Sequence, residues 1–125
     1  MNTLNKQKKN VSAVVSKQFL TFRIGNENYG LELSQTREII EYSGITEVPL
    51  MPSFLRGVIN LRGEVVPVID LAVRLGRKSI EVQRRTCIIV VELTNNDQHH
   101  VLGLLADAVS EVIEMDDENI EDAPS

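Results

Sequence analysis

Several scarcities bound what this 125-residue chain can be. It has a single cysteine, Cys87. A lone thiol excludes an intrachain disulfide and fits a reducing compartment. Aromatic residues are 4% of the chain, with no tryptophan, and the basic residues form no stripe interleaved with them. That argues against nucleic-acid binding. No apolar run approaches the roughly 18–20 residues that cross a bilayer, and residues 1–10 are polar, without the apolar core of a secretory signal. The expectation is a soluble cytoplasmic protein. His99 and His100 are the only histidines. Neighbours on a strand point to opposite faces, so the pair is poorly placed to share a metal. No phosphate-binding loop is present, since Gly25–Gly30 lacks the Lys-Ser/Thr ending. No Ser, His and Asp set stands out, and Cys87 lies in an apolar run that raises a thiol's pKa. Asp70 reads as a helix cap rather than a catalytic carboxylate. No catalytic residue, metal or cofactor is expected, and the chain does not read as an enzyme.

What the chain does have is a strong hairpin signal at Arg56–Leu71. Val58, Ile59 and Leu61 make one apolar arm, and Val65, Val66, Val68, Ile69 and Leu71 the other. The β-branched content favours strand, and Gly63 supplies a positive φ for the connection Leu61–Glu64. Pro67 lacks a ladder donor, which predicts a sheet edge or a bulge. Arg62 is presented on a rigid tip. Around this unit, Phe19–Ile24 and Tyr29–Leu33 form a second hairpin about Gly25–Asn28. Ser34–Tyr42 is too short to assign. Ile45–Val48 suits a short strand, and Pro52–Gly57 one helical turn ended by Gly57. Leu71–Gly76 suits a helical turn and Arg77–Arg85 a polar connection. Thr86–Leu93 is apolar enough for a strand buried on both faces, with Cys87 a packed core thiol. Thr94–Asp97 turns the chain into a return strand over Val101–Leu105, and Ala108–Met115 is one more periodic segment. Residues 1–16 read as a flexible arm.

The charge is uneven. Net charge is −5, yet from Asp107 onward there are eight acidic residues and no basic ones. The acidic run Glu111–Asp122 lacks the alternating ligands and central glycine of a calcium loop and reads as solvated surface.

The chain also repeats itself. Gly30-Leu31-Glu32-Leu33 aligns with Gly103-Leu104-Leu105-Ala106, and without a gap Thr36–Glu41 then falls on Val109–Glu114. Glu38 and Glu111 occupy matched places. The expectation is two related β-lobes, about 17–76 and 86–125, within one domain over 17–125. No second copy of the organising hairpin precedes Ser125. A small barrel short of two strands leaves an open edge. The expectation is therefore a shortened chain, with self-association by strand exchange through the open second lobe as the alternative.

The run Phe54-Leu55-Arg56-Gly57-Val58-Ile59-Asn60-Leu61-Arg62-Gly63-Glu64-Val65-Val66-Pro67-Val68-Ile69-Asp70-Leu71 closely resembles the signature of the CheW family, the chemotaxis coupling proteins of bacteria. Phe19–Phe22, Tyr29–Leu31, Arg37–Ile40 and Asp107–Val112 resemble its flanking motifs. The resemblance covers about Lys17 to Ser125. It implies an all-β fold of two SH3-like five-stranded barrels around a shared core, here with the second incomplete. It implies a non-enzymatic adaptor that joins the cytoplasmic tips of chemoreceptors to the regulatory domain of the CheA histidine kinase, within membrane-associated receptor arrays. Mapped onto this chain, Thr36, Glu38, Ile39, Arg56, Asn60, Arg62 and Gly63 would meet partners, with Arg62 foremost. Glu111 and Val112 would lie nearer the kinase. Thr36 departs from the family's usual aliphatic residue, and the closing hairpin is missing. A module of a larger CheV-type protein with a receiver domain is the alternative.

Overall fold

In a computed structural model, which describes residues 16–116, eight strands form two sheets. They are β1 (Ser16–Ile24), β2 (Glu27–Glu32), β3 (Thr36–Glu41), β4 (Leu55–Leu61), β5 (Glu64–Asp70), β6 (Cys87–Asn95), β7 (Gln98–Ala106) and β8 (Ala108–Asp116). One short helix, α1 (Leu71–Arg74), follows β5. The small sheet has the order β2-β1-β8 and the large one β3-β6-β7-β5-β4. The large sheet curls into a half-barrel, and the expected all-β class is the one observed. Flexibility of the arm before β1 and the character of residues 117–125 lie outside the described residues.

The two sequence halves exchange strands. The third strand of the first half, β3, pairs antiparallel with β6, the first strand of the second half. Reciprocally, β8 pairs antiparallel with β1. The repeat is thus visible in the pairing, and the core is shared because each sheet draws on both halves. At its centre lies β6. Ile88, Ile89, Val90 and Val91 are almost wholly buried, each contributing about 1.5–3 kcal/mol of transfer free energy. Cys87 is buried with them, and desolvation pushes its thiol pKa up.

The organising hairpin forms with Asn60 opposite Val65 and Leu61 opposite Glu64. Its turn is two residues, Arg62 (φ 55) and Gly63 (φ 85), so both occupy the left-handed region that twisted hairpins favour. The expectation of a sheet edge or a bulge at Pro67 is corrected, since the bulge of this hairpin lies on β4, opposite Val68 and Ile69. Strand β5 is interior, flanked by β4 and β7, and tolerates the proline because its parallel ladder with β7 begins only at Val68 opposite Gly103. The absent side chain of Gly103 matters there, since a Cβ would come within 2.7 Å of Ile88 Cγ2.

Other boundaries also move. Ser34–Tyr42 divides into a 3-10 turn (Leu33–Gln35) and β3. Ile45–Val48 makes only a single bridge, Thr46 to Val58. Pro52–Gly57 is not helical. Leu55 N donates to Pro52 O in one tight turn, and Leu55–Gly57 already belong to β4. Gly57 serves close approach, because a Cβ would collide with Thr46 O at 2.3 Å. The helical turn after Asp70 forms as expected, with Asp70 Oδ1 accepting from Ala72 N and Val73 N.

Candidate functional site

The tip of the organising hairpin is built by its own residues. Asn60 Oδ1 accepts from Gly63 N at 3.0 Å, which fixes the turn. Asn60 and Gly63 therefore position, and Arg62 is what the turn presents. Its side chain is 76% exposed, yet it is not free. Nη2 lies 3.2 Å from Glu38 Oε2 and donates to Oε1 at 3.3 Å. Oε2 is buried and has no well-directed donor, so the Glu38 carboxylate is only half satisfied.

A second pair lies alongside. The Arg37 guanidinium reaches Glu64 Oε1 at 3.0 Å from Nη1 and Glu92 Oε1 at 3.3 Å from Nη2. The hydrogen bond that Arg37 donates to Glu64, with the charge of Glu92, raises the pKa of Arg37 further. Arg37 is placed for this by a β-bulge, where the register between β3 and β6 shifts between Thr36 and Glu38. The hairpin tip, at one margin of the curled sheet, is thereby fastened to β3 at the other. Thr36 is half-buried, its hydroxyl donating to Glu32 O at 3.3 Å. Ile39 is 44% exposed. The structure thus brings Glu38 to Arg62, with Thr36, Ile39, Asn60 and Gly63 beside them in the chain.

Arg56 is placed elsewhere. It is the extra residue of a bulge between Leu55 and Gly57. Its Nη1 lies within 3.1 Å of Asp70 Oδ2, Ser79 Oγ and Ile80 O. Asp70 is fully buried and also receives Ser79 Oγ and Ile80 N. This cluster anchors the loop between α1 and β6. Sequence reasoning identified Asp70 as a cap but missed its hold on Ser79 and Ile80, nine and ten positions along, and did not single out Arg37 as a site residue. A basic residue between Thr36 and Glu38 was the only signal.

Glu111 and Val112 lie on β8, in the other sheet, with no ion pair to the hairpin residues among those described. Glu111 N donates to Thr21 Oγ1 at 3.1 Å, and that hydroxyl donates to Glu111 O at 2.9 Å. His99 and His100 face Thr94 and Leu93 across the β6–β7 hairpin, with His99 Nδ1 3.4 Å from Glu92 Oε2. No group of three or more potential metal-ligating side chains converges among the described residues. No described helix is long and apolar enough to cross a membrane.

The CheW-like domain profile matches residues 18–125. This chain belongs to the CheW-like domain family. The CheW-like domain here is 37% identical over 110 residues to a chemotaxis protein CheW of Klebsiella aerogenes, covering 88% of this chain and 64% of that one. It is 40% identical over 108 residues to a probable chemotaxis protein CheW of Rhizobium etli, covering 86% of this chain and 67% of that one. The chain thus spans about two thirds of the length of these curated relatives. Among solved structures, it matches the crystal structure of the scaffolding protein TtCheW from Thermoanaerobacter tengcongensis. The TM-score is 0.79 at 38% identity, covering 88% of this chain and 73% of that one. The CheW-like fold expected from the hairpin motif is therefore the fold observed.

Proposed function

We propose that this CheW-like domain is a non-enzymatic scaffold of bacterial chemotaxis, which couples chemoreceptor tips to the regulatory domain of CheA at membrane-associated receptor arrays. The observation that carries the reading is the clasp between the hairpin tip and β3. Arg62 is exposed and held at a fixed angle by Glu38, and the exposed Ile39 follows it on β3. A charge on a prearranged tip beside an apolar residue suits docking, because little side-chain entropy is lost on binding. Naming of the relatives as chemotaxis proteins, and of the solved neighbour as a scaffolding protein, supports the class. In this reading Thr36, Glu38, Ile39, Asn60, Arg62 and Gly63 form the receptor-facing surface. Arg56 acts on it indirectly by holding the base of the same hairpin. Glu111 and Val112 belong to a separate, kinase-facing surface. Individual contacts are modest, and assembly strength comes from multivalency.

The test is co-sedimentation with receptor-containing membranes and kinase. Arg62→Glu sets a second carboxylate beside Glu38. It should leave the circular dichroism spectrum unchanged and alter stability by no more than about 1 kcal/mol, since the residue is largely in water. It should strongly reduce recovery with receptor membranes. Recovery equal to the wild type would remove Arg62 from the interface.

A further inference from the structure

The loop between α1 and β6 carries a concentration of charge that the coupler role does not use. Residues 74–85 include Arg74, Arg77, Lys78, Arg84 and Arg85 against one acid, Glu81, and all of these are exposed. Arg74 lies over the ring of Phe54, and Arg77 lies over Tyr29 and pairs with Glu27. Lys78, Arg84 and Arg85 have no ion-pair partner among the described residues. The loop is not loose. Asp70 grips Ser79 and Ile80, and Ile80 is buried. Beneath it runs a cleft of about 390 Å³, lined in part by Ile24, Ala72, Arg77, Lys78 and Ile80. Exposed Leu75 and Val82 flank the charges. The result is a held cationic surface with apolar margins, suited to an acidic peptide carrying an aliphatic residue.

The chain itself contains such a peptide. Asp117-Glu118-Asn119-Ile120-Glu121-Asp122 holds four acids, no base and one isoleucine. Geometry decides which copy it can serve. The loop lies at the end of the molecule where Cys87 pairs with Ala106 and Asp107 N donates to Arg23 O. Strand β8 leaves that end and reaches Asp116 opposite Ser16, at the other end. The eight steps from Ala108 to Asp116 span about 26 Å at strand rise. Six residues, fully extended and turned straight back, reach at most about 20–22 Å. The four acids therefore cannot gather on the loop of their own chain.

We propose that the acidic segment Asp117–Asp122 of one copy docks on the cationic loop 74–85 of a second copy, giving salt-sensitive head-to-tail self-association. The contact is heterologous, since the loop of one copy meets the acidic segment of another rather than a second loop. It can propagate beyond a dimer.

A charge-exchange experiment tests this with the full chain, by sedimentation velocity over a concentration series. Wild-type protein should show a weight-average mass rising above 14.0 kDa with concentration at low salt. The rise should vanish near 0.5 M salt, where screening acts within about 3–5 Å. The first variant, Lys78→Glu with Arg84→Glu and Arg85→Glu, has an acidic loop and an acidic segment. The second, with Asp117, Glu118, Glu121 and Asp122 all replaced by Lys, has a basic loop and a basic segment. Each alone should stay at monomer mass with an unchanged circular dichroism spectrum. An equimolar mixture of the two should associate at low salt at least as strongly as the wild type. Wild-type protein that stays monomeric at low salt, single variants that still self-associate, or a mixture that does not associate would each overturn the proposal.

Discussion

Strands β3 and β8 occupy the same place in the two repeats, and their differences show how one backbone plan was adapted twice. Each follows an apolar hairpin, and each pairs with the first strand of the opposite half. Each also carries a bulge at the matched position, Arg37 in one and Ser110 in the other, immediately before the matched glutamate. The two bulges are secured differently. At β8 a single neutral hydroxyl, Thr21, bridges both backbone groups of Glu111. At β3 the bulged residue is a cation, and Arg37 and Glu38 reach across to Glu64 and Arg62 on the hairpin tip. A hydroxyl closes the defect locally, whereas a pair of charges uses it to fasten a distant element. The candidate docking surface lies where the second solution was adopted.

The sharpest ways to break this comparison act on the hairpin β4–β5, to which the charges of β3 reach. Val68 is fully buried where β5 meets β7, so Val68→Asp introduces an unpaired carboxylate into the core. It should abolish the cooperative thermal transition followed by circular dichroism, and a normal melting curve would show the strand faces to be misassigned. Asp70→Ala leaves the Arg56 guanidinium without its carboxylate and frees the loop at Ser79 and Ile80. A loss of about 3–5 kcal/mol in urea denaturation is expected, as for other broken buried pairs.

The matched glycines sharpen the contrast between halves. Gly103→Ala forces a methyl against Ile88 and Val68 and should cost about 1–3 kcal/mol. Gly30→Ala, its repeat equivalent, finds only Phe19 atoms at 3.9 Å and should change stability by less than about 1 kcal/mol, in the stabilising direction. Equal losses at both positions would mean that the halves pack alike. A modest effect is expected at the neutral bulge. Thr21→Val removes the bridge to Glu111 and should cost about 1 kcal/mol, read from the denaturation midpoint.

Local chemistry explains what could be read without coordinates. The hairpin, the Asp70 cap and the doubly buried β6 each rest on residues within a few positions, and the repeat that matches Glu38 with Glu111 is a direct likeness of two stretches of sequence. What escaped depends on distant partners. Ser34–Tyr42 carries mixed signals until β6 supplies a ladder for half of it. Pro67 suggested an edge or a bulge, because nothing nearby reveals that the ladder with β7 starts one residue later. Arg62 lies in the left-handed region, which is uncommon for an arginine, and only the neighbouring Gly63 and the bond to Asn60 make it tenable. The site was legible in part. The motif led to Arg62 and Glu38, while the Arg37 pairs and the Arg56–Asp70 cluster needed the fold.

The pairing of β1 with β8 has a consequence for synthesis. Ser16 lies opposite Asp116, so the earliest strand finds this neighbour only after a hundred further residues have been made. During translation, one margin of β1 waits while the rest of the chain emerges from the ribosome. Contacts of such long range are entropically expensive to close and slow to form. The hairpin β4–β5, joined by two residues and complete early, is the natural place for order to begin. The reciprocal pairing that gives the finished molecule a common interior also makes its assembly an all-or-nothing event.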